Sequence, residues 1–253
     1  MNKFFNEHEK KYLQIHSLIS LGGYSVAMPF IIKAYKCNLE INDILDLCEL
    51  LESIIIRHRI IGTRADISSR LEKEFQNFLE DDKKLYGIRE RINFLKTTDA
   101  WWYDHWNDEY FRNSLQGDIE HSLAKFLLWK YELYLQQKNA SSYEYRRFDK
   151  IAKKLELEHI APQTEPDSNN HGYGKYTDDF VNNYINCIGN YLLISKADNC
   201  SISNSPFSKK YEKYTVIEQQ KEIQDMVSKN GPWNKQAIKK RKEKIISVIL
   251  KLF

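Results

Sequence analysis

The chain has 253 residues, of which 42% are hydrophobic, 13% aromatic and 29% charged, and its formal net charge is +3. This hydrophobic and aromatic content excludes a wholly disordered chain, and no apolar run approaches the ~20 residues that a membrane helix requires. Because the first ten residues are too charged for a signal peptide, we expect a soluble cytoplasmic protein with one large domain or two smaller ones.

Helical periodicity dominates the first 137 residues. The small number of Gly (nine) and Pro (five) favours long helices over a turn-rich sandwich or barrel. Residues 41–61 are apolar on most faces, which is typical of a buried helix, and Gly62 is expected to end it. Asp66 is a suitable N-cap for a helix over 66–80. Further helices are expected over 7–36, with interruptions at Gly22, Gly23 and Pro29, and over 84–95, 106–115 and 118–137.

The periodicity changes after a polar, turn-like segment at 138–147. Residues 153–163 alternate in polarity and predict a strand that Pro162 ends, and residues 191–196 predict a second strand. Between them, residues 164–180 are rich in Thr, Asp, Asn and Gly and predict a long surface loop, a kind of loop that is often functional. Helices are expected to start at Ser205 and Pro206, with Ser as cap and Pro at the first helical position, and again near 216–228 and 234–252.

Three motifs occur in the order strand, loop, strand and helix, with a His ending the first strand. The segments that carry them are LEHIAPQ (157–163), IGNYLLISKADN (188–199) and SNSPFSKKYEKY (203–214). In this order and spacing the sequence resembles the HNH (His-Me finger) endonucleases. It resembles more closely the C-terminal domain of GmrSD-type, modification-dependent restriction endonucleases.

The resemblance extends to the helical half of the chain. The segments LESIIIRHRIIG (51–62), WWYDHWNDEYF (101–111) and FLLWKYELYL (126–135) look like the helices that precede this nuclease in such proteins. The resemblance therefore implies a mainly α protein with a small α+β part. A helical domain over 1–150 would be followed by a ββα-metal (HNH) nuclease domain over 151–253. It also implies an N-terminal ParB-like, nucleotide-hydrolysing domain, either as a separate subunit or removed from this chain.

The residues of the motifs fit the chemistry of phosphodiester hydrolysis. That reaction needs an activated water and a cation facing the developing negative charge. His159 is the candidate base, because an imidazole changes protonation near neutral pH. Glu158 and Asn199 offer hard oxygen ligands for one divalent cation. Mg²⁺ is the expected ion, and Mn²⁺ could replace it. The resemblance implies that Asn190, in the Gly-Asn turn, ties the loop and fixes the orientation of the imidazole.

Each of these assignments has a structural alternative. Neighbouring residues of a regular strand point to opposite faces, so Glu158 and His159 share one site only if the strand ends or bulges there. Otherwise Glu158 supports His159 from outside the metal shell. A lone His at a strand end is often structural, and Asn190 also suits a plain turn. Three further residues match family positions near the site and are expected to contact DNA phosphate, unless they form a solvated helix face: Asn204, Lys209 and Lys210.

Charge is distributed unevenly over the second half of the chain. Residues 196–253 carry 13 basic and 6 acidic side chains, whereas residues 151–195 carry 3 basic and 6 acidic ones. A basic surface beside a small acidic site suits a polyanionic substrate. The basic run over 239–244 either contacts the phosphates of a DNA backbone or forms the solvent-exposed face of a helix.

The expected activity is metal-dependent DNA endonuclease activity in restriction or antiviral defence against foreign or modified DNA. Two alternatives remain open. The chain could be a non-catalytic subunit that docks DNA or a partner protein, or an RNA nuclease with the same site.

Overall fold

The chain folds into two compact units, one over Met1–Asn113 with Leu252–Phe253 and one over Ser114–Lys251. The structure, a computed structural model, describes residues 2–22, 25–78, 85–100, 102, 104–141, 146–167 and 170–253. These compact units divide at residue 113, and the boundary near residue 150 between a helical and a nuclease domain stays a prediction. The helix expected over 118–137 therefore belongs to the same unit as the two strands.

The first unit is built of helices packed around one central helix. These are α1 (Asn2–Lys11), α2 (Leu13–Leu21), α3 (Met28–Lys36), α4 (Ile41–Ile61), α5 (Ile67–Asn77) and α6 (Tyr86–Thr97), followed by a 3₁₀ turn (Asp104–Trp106) and by α7 (Asp108–Gln116), which reaches past the boundary. The bounds of α4 agree with the predicted helix. Gly62 ends it in the left-handed region with φ of 69°, and the side chain of Asp66 accepts a hydrogen bond from the Ser68 amide at the start of α5.

The buried guanidinium of Arg57 in α4 is paired inside the first unit. Arg57 is 1% exposed, and its guanidinium donates to the Trp106 carbonyl at 2.9 Å and to the Asp108 carboxylate at 2.6 Å. It also donates to the carbonyl of Phe253. Arg57 is therefore a structural group of the first unit.

The second unit surrounds a two-stranded sheet with helices. Its elements are α8 (His121–Lys138), α9 (Phe148–Lys154), β1 (Leu155–His159), α10 (Asp178–Phe180), a π-helical turn (Val181–Ile185), a 3₁₀ turn (Ile188–Asn190), β2 (Tyr191–Ser195), α11 (Lys196–Ile202), α12 (Phe207–Tyr211), α13 (Glu218–Met226) and α14 (Lys235–Leu252). The fold is thus mainly α with a small α+β part, as predicted. No helix among the described residues is long and apolar enough to span a membrane.

The two strands pair antiparallel in a regular register. Leu155 lies opposite Ser195, and His159 lies opposite Tyr191. The Ile160 amide, just past β1, still donates to the Asn190 carbonyl at 2.9 Å. The ladder therefore continues without a bulge through His159, and successive side chains of β1 alternate between the two faces of the sheet.

Helix α8 stabilises the second unit from within. Glu132 is fully buried, and its carboxylate accepts hydrogen bonds from the backbone amides of Glu218 at 3.0 Å and Gln219 at 2.9 Å. Those are the first amides of α13, which have no acceptor inside their own helix. The negative charge of a carboxylate at a helix N-terminus also interacts favourably with the positive end of the helix dipole. Glu132 thus caps α13 in place of a side chain from α13 itself.

Candidate active site

The imidazole of His159 lies half-buried at the end of β1. Its Nε2 is 3.0 Å from Oδ1 of Asn186, and the Gln163 side-chain amide donates to the same oxygen at 3.3 Å. Because Oδ1 can only accept, a neutral imidazole donates to it from Nε2. The lone pair is then on Nδ1, which can accept a proton.

The surroundings of His159 favour its neutral form. Burial lowers the pKa of the His159 imidazole, and the hydrogen bond to Asn186 only partly opposes this effect. Electrostatic interactions with His121 and Lys210 lower this pKa further, while the charge of Asp118 raises it. The net direction is downward, so the group is neutral and able to act as a base near pH 7.

Glu158 forms a buried ion pair on the other face of β1. Its carboxylate is 2.5 Å from Nζ of Lys210, and the two residues are 6% and 1% exposed. The same Nζ donates to the backbone carbonyl of His159 at 2.8 Å. Burial raises the pKa of Glu158, and Lys210 offsets part of that effect. The regular strand thus answers the question left by the sequence: Glu158 and the imidazole point to opposite faces, and Lys210 links them.

Asn190 is buried, and its side chain hydrogen-bonds to several segments of the second unit. Its side-chain Oδ1 accepts from the Ala161 amide at 2.8 Å and from the Trp233 indole at 3.1 Å. Its Nδ2 donates to the Ala161 carbonyl at 2.8 Å and to the Ile185 carbonyl at 2.9 Å. These bonds tie the loop after β1 to the turn before β2. The imidazole itself meets Asn186, so Asn190 acts on His159 through the backbone.

Asn199 lies in α11 and points at β1. Its Nδ2 donates to the carboxylate of Glu156 at 3.0 Å. Glu156 and Glu158 are two residues apart and share one face of the strand. Asn199 is therefore on the side of the sheet away from the imidazole of His159.

Each of the residues expected to hold a cation is paired with another side chain in this structure. Their oxygen atoms have the right chemistry for Mg²⁺, but the ammonium of Lys210 occupies Glu158, and Asn199 is directed at Glu156. In the part of the chain that the structure describes, no group of three or more His, Cys, Asp and Glu side chains could hold a metal ion.

The residues expected to contact DNA divide into exposed and buried groups. Asn204 and Lys209 are exposed. Lys210 is buried and its ammonium is paired inside the second unit, so its contact with a DNA phosphate stays a prediction. In α14, Arg241 is also buried and donates to the carbonyls of Gly189 and Tyr191, at 3.0 and 2.6 Å. Exposed members of that basic run are Lys239, Lys240 and Lys244.

Two residues beside His159 were not singled out by the sequence. Asn186 holds Nε2 of the imidazole, and the ring of His121 lies 6.3 Å from that of His159. Asn186 comes shortly after two other asparagines, Asn182 and Asn183, and His121 lies 38 positions before His159, at the start of a helix. Neither has a local pattern that spacing alone could reveal.

Comparison with known proteins gives one family. The family described as GmrSD restriction endonucleases, C-terminal domain, matches residues 102–248, which is more than half of the chain and includes every residue discussed for the site. No curated protein and no solved structure matches the chain. The chain belongs to the family of GmrSD restriction endonucleases, C-terminal domain.

Proposed function

We propose that this chain is an HNH-type endonuclease that hydrolyses DNA phosphodiester bonds, with His159 as the base that activates water. The observation that carries the proposal is the imidazole of His159 at the end of β1, which is held by Asn186 through Nε2 and whose pKa is lowered by burial. His159 lies in the part of the chain that matches the GmrSD restriction endonuclease family, residues 102–248. The biological role proposed is defence against foreign or modified DNA.

In the proposed reaction, Nδ1 of His159 takes a proton from water as the water oxygen attacks phosphorus. Asn186 holds the opposite ring nitrogen and thereby fixes the orientation of the base. Asn190 fixes the loop that follows, through Ala161. A positioned base of this kind contributes roughly 10²–10⁴-fold to the rate.

A divalent cation, Mg²⁺ or Mn²⁺, is also proposed, because it would stabilise the charge that develops on the phosphate. Glu158 and Asn199 remain the proposed ligands from the sequence. Since Lys210 holds Glu158, we assign no step of the reaction to the cation. An Asn199→Ala variant tests the proposal: the concentration of Mn²⁺ giving half-maximal cleavage should rise, and an unchanged titration removes this ligand.

DNA is the proposed substrate, and a ParB-like, nucleotide-hydrolysing domain or subunit is the proposed partner. The direct test incubates the purified chain with supercoiled plasmid and with RNA, with and without Mg²⁺ or Mn²⁺. Wild type is expected to nick or linearise the plasmid. His159→Ala should cut at least ~100-fold more slowly, and His105→Ala, in the first unit, serves as the matched control. Circular dichroism of each variant establishes that it is folded.

Three results would replace this proposal. Binding of plasmid without cleavage, unchanged by His159→Ala, would make the chain a docking subunit. Cleavage of RNA alone would make it a ribonuclease. Undiminished cleavage by His159→Ala would leave the enzyme class in place but remove His159 as its base.

A further inference from the structure

A second imidazole lies beside the candidate base. His121 is the first residue of α8, and its ring centroid is 6.3 Å from that of His159, with 71° between the ring planes. His121 is exposed to solvent, whereas His159 is half-buried. The two residues come from segments that are far apart in the sequence and meet only in the folded second unit.

Tyr191 fixes the spacing of the two imidazoles. Its ring meets His159 edge-on at 4.9 Å and His121 edge-on at 5.9 Å. Tyr191 is fully buried, faces His159 across the strand pair, and has its carbonyl held by Arg241 at 2.6 Å. Because the backbone of Tyr191 is held by the strand pair and by Arg241, its buried ring is a rigid support for the two imidazoles.

The geometry suits two proton transfers at one phosphate. Hydrolysis in line places the attacking and the leaving oxygen on opposite sides of phosphorus. Each transfer needs a side chain within about 3 Å of its oxygen, so two imidazoles some 6 Å apart can serve one phosphate group. Charged groups that act on His159 include Asp118, which precedes α8, and Lys210 of α12.

We propose that His121 is the general acid of the reaction, donating a proton to the oxygen that leaves phosphorus. This rests on the proposed function of His159. The water oxygen forms a bond to phosphorus while its proton passes to His159, and the bond from phosphorus to the leaving oxygen breaks as that oxygen takes the proton of His121. One water is consumed, and solvent then returns a proton to His121 and removes one from His159.

The test compares His121→Ala and His121→Gln with wild type on a plasmid that wild type cuts. The turnover rate should fall roughly 10²–10⁴-fold, while the DNA dissociation constant stays within about threefold. The alkaline limb of the pH–rate profile, produced when a general acid loses its proton, should disappear in both variants. Added imidazole should restore part of the rate of His121→Ala, in proportion to the imidazolium concentration. Ser122→Ala, the exposed neighbour, is the matched control and should retain wild-type turnover.

The outcomes separate this proposal from the one it rests on. If wild type cuts neither DNA nor RNA, the proposed function fails. If wild type cuts and the His121 variants keep the wild-type rate, or keep its alkaline limb at a reduced rate, His121 is not the acid. If the variants lose rate only through weaker DNA binding, His121 is a contact to substrate and the proposal is overturned.

Discussion

Lys210 lies in a different environment from its neighbour Lys209. In the sequence it is one of two adjacent lysines in a basic region, which favours a contact to DNA phosphate. In the structure Lys209 is exposed and Lys210 turns inward, to the carboxylate of Glu158 and the carbonyl of His159. A buried charge must be paired, so these two residues depend on each other.

Removing the ammonium should destabilise the second unit strongly. Lys210→Met leaves the Glu158 carboxylate buried without its partner, for which the expected loss is about 3–5 kcal/mol of unfolding free energy. The exposed pair of Lys229 and Glu212 provides the control, because Lys229→Met removes a solvent-screened ion pair and should change stability far less. Urea denaturation measures both. The double variant Glu158→Leu with Lys210→Met should recover much of the loss, and a double variant as unstable as Lys210→Met would contradict this account.

The pH dependence of cleavage should reflect the lowered pKa of His159. Its base form persists to lower pH than that of an ordinary imidazole, because burial disfavours the charged form. The acid limb of kcat/KM should therefore lie below about pH 6.5, the reference value for an imidazole. The position of this acid limb is measured from the rate of plasmid cleavage between pH 4.5 and 8, roughly the range in which a histidine titrates. An acid limb above about pH 6.5 would contradict the environment described for His159.

At the scale of elements, the turn before β2 is packed directly against α14. A Cβ built on Gly189 would lie 2.4 Å from the carbonyl oxygen of Ile238 and 2.7 Å from the Cβ of Lys242. Those atoms belong to a long, well-packed helix and cannot withdraw easily. Gly189 is therefore required because two pieces of backbone approach closely.

A pair of glycine substitutions tests this packing. Gly189→Ala should lower the unfolding free energy by about 1–3 kcal/mol or more, through overpacking. Gly87→Ala is the matched control, because its Cβ would meet nothing within 4 Å and it lies in α6. That change should leave stability unchanged or raise it by up to about 1 kcal/mol. Equal effects of the two substitutions in thermal or urea unfolding would contradict the close contact.

The sequence predicted those elements whose pattern is strong and local. Helix α4, the Asp66 cap and both strands were found because periodicity, capping chemistry and alternation are local signals. Helix α11 was missed because seven mostly polar residues carry no apolar period, although Ser195 caps it. Pro206 is the residue before α12 and not its first helical residue.

The sequence predicted only those residues of the candidate site that belong to the motif itself. His159 and Asn190 were selected by residue type and spacing, but their partners Asn186, His121 and Lys210 come from other segments. Their proximity depends on the tertiary fold, which brings α8, the residue after the π-helical turn and α12 to the end of β1. No periodicity in the sequence encodes such contacts, and strand register alone decided that Glu158 and His159 point apart.

At the scale of the whole molecule, the excess of basic residues after Lys196 should make DNA binding sensitive to salt. Lys239 and Lys240 are exposed on α14. If both contact phosphate, replacing them with Gln should weaken binding to all sequences and reduce the slope of log affinity against log salt by about 2. Fluorescence anisotropy at several salt concentrations measures this slope. Replacing Lys10 and Lys36, which are exposed in the first unit, is the control, and an unchanged slope would make the α14 run a solvated face.

The position of α8 within the second unit has a consequence for building chimeric proteins. Glu132 supplies the acceptor for the first amides of α13, and His121 lies beside His159. A graft that joined residues 151–253 to a foreign helical half would replace both side chains and leave α13 without its acceptor. A graft joined at 113 would carry them along. The transferable module is therefore larger than the strands and motif that identify it, and its natural junction lies before α8.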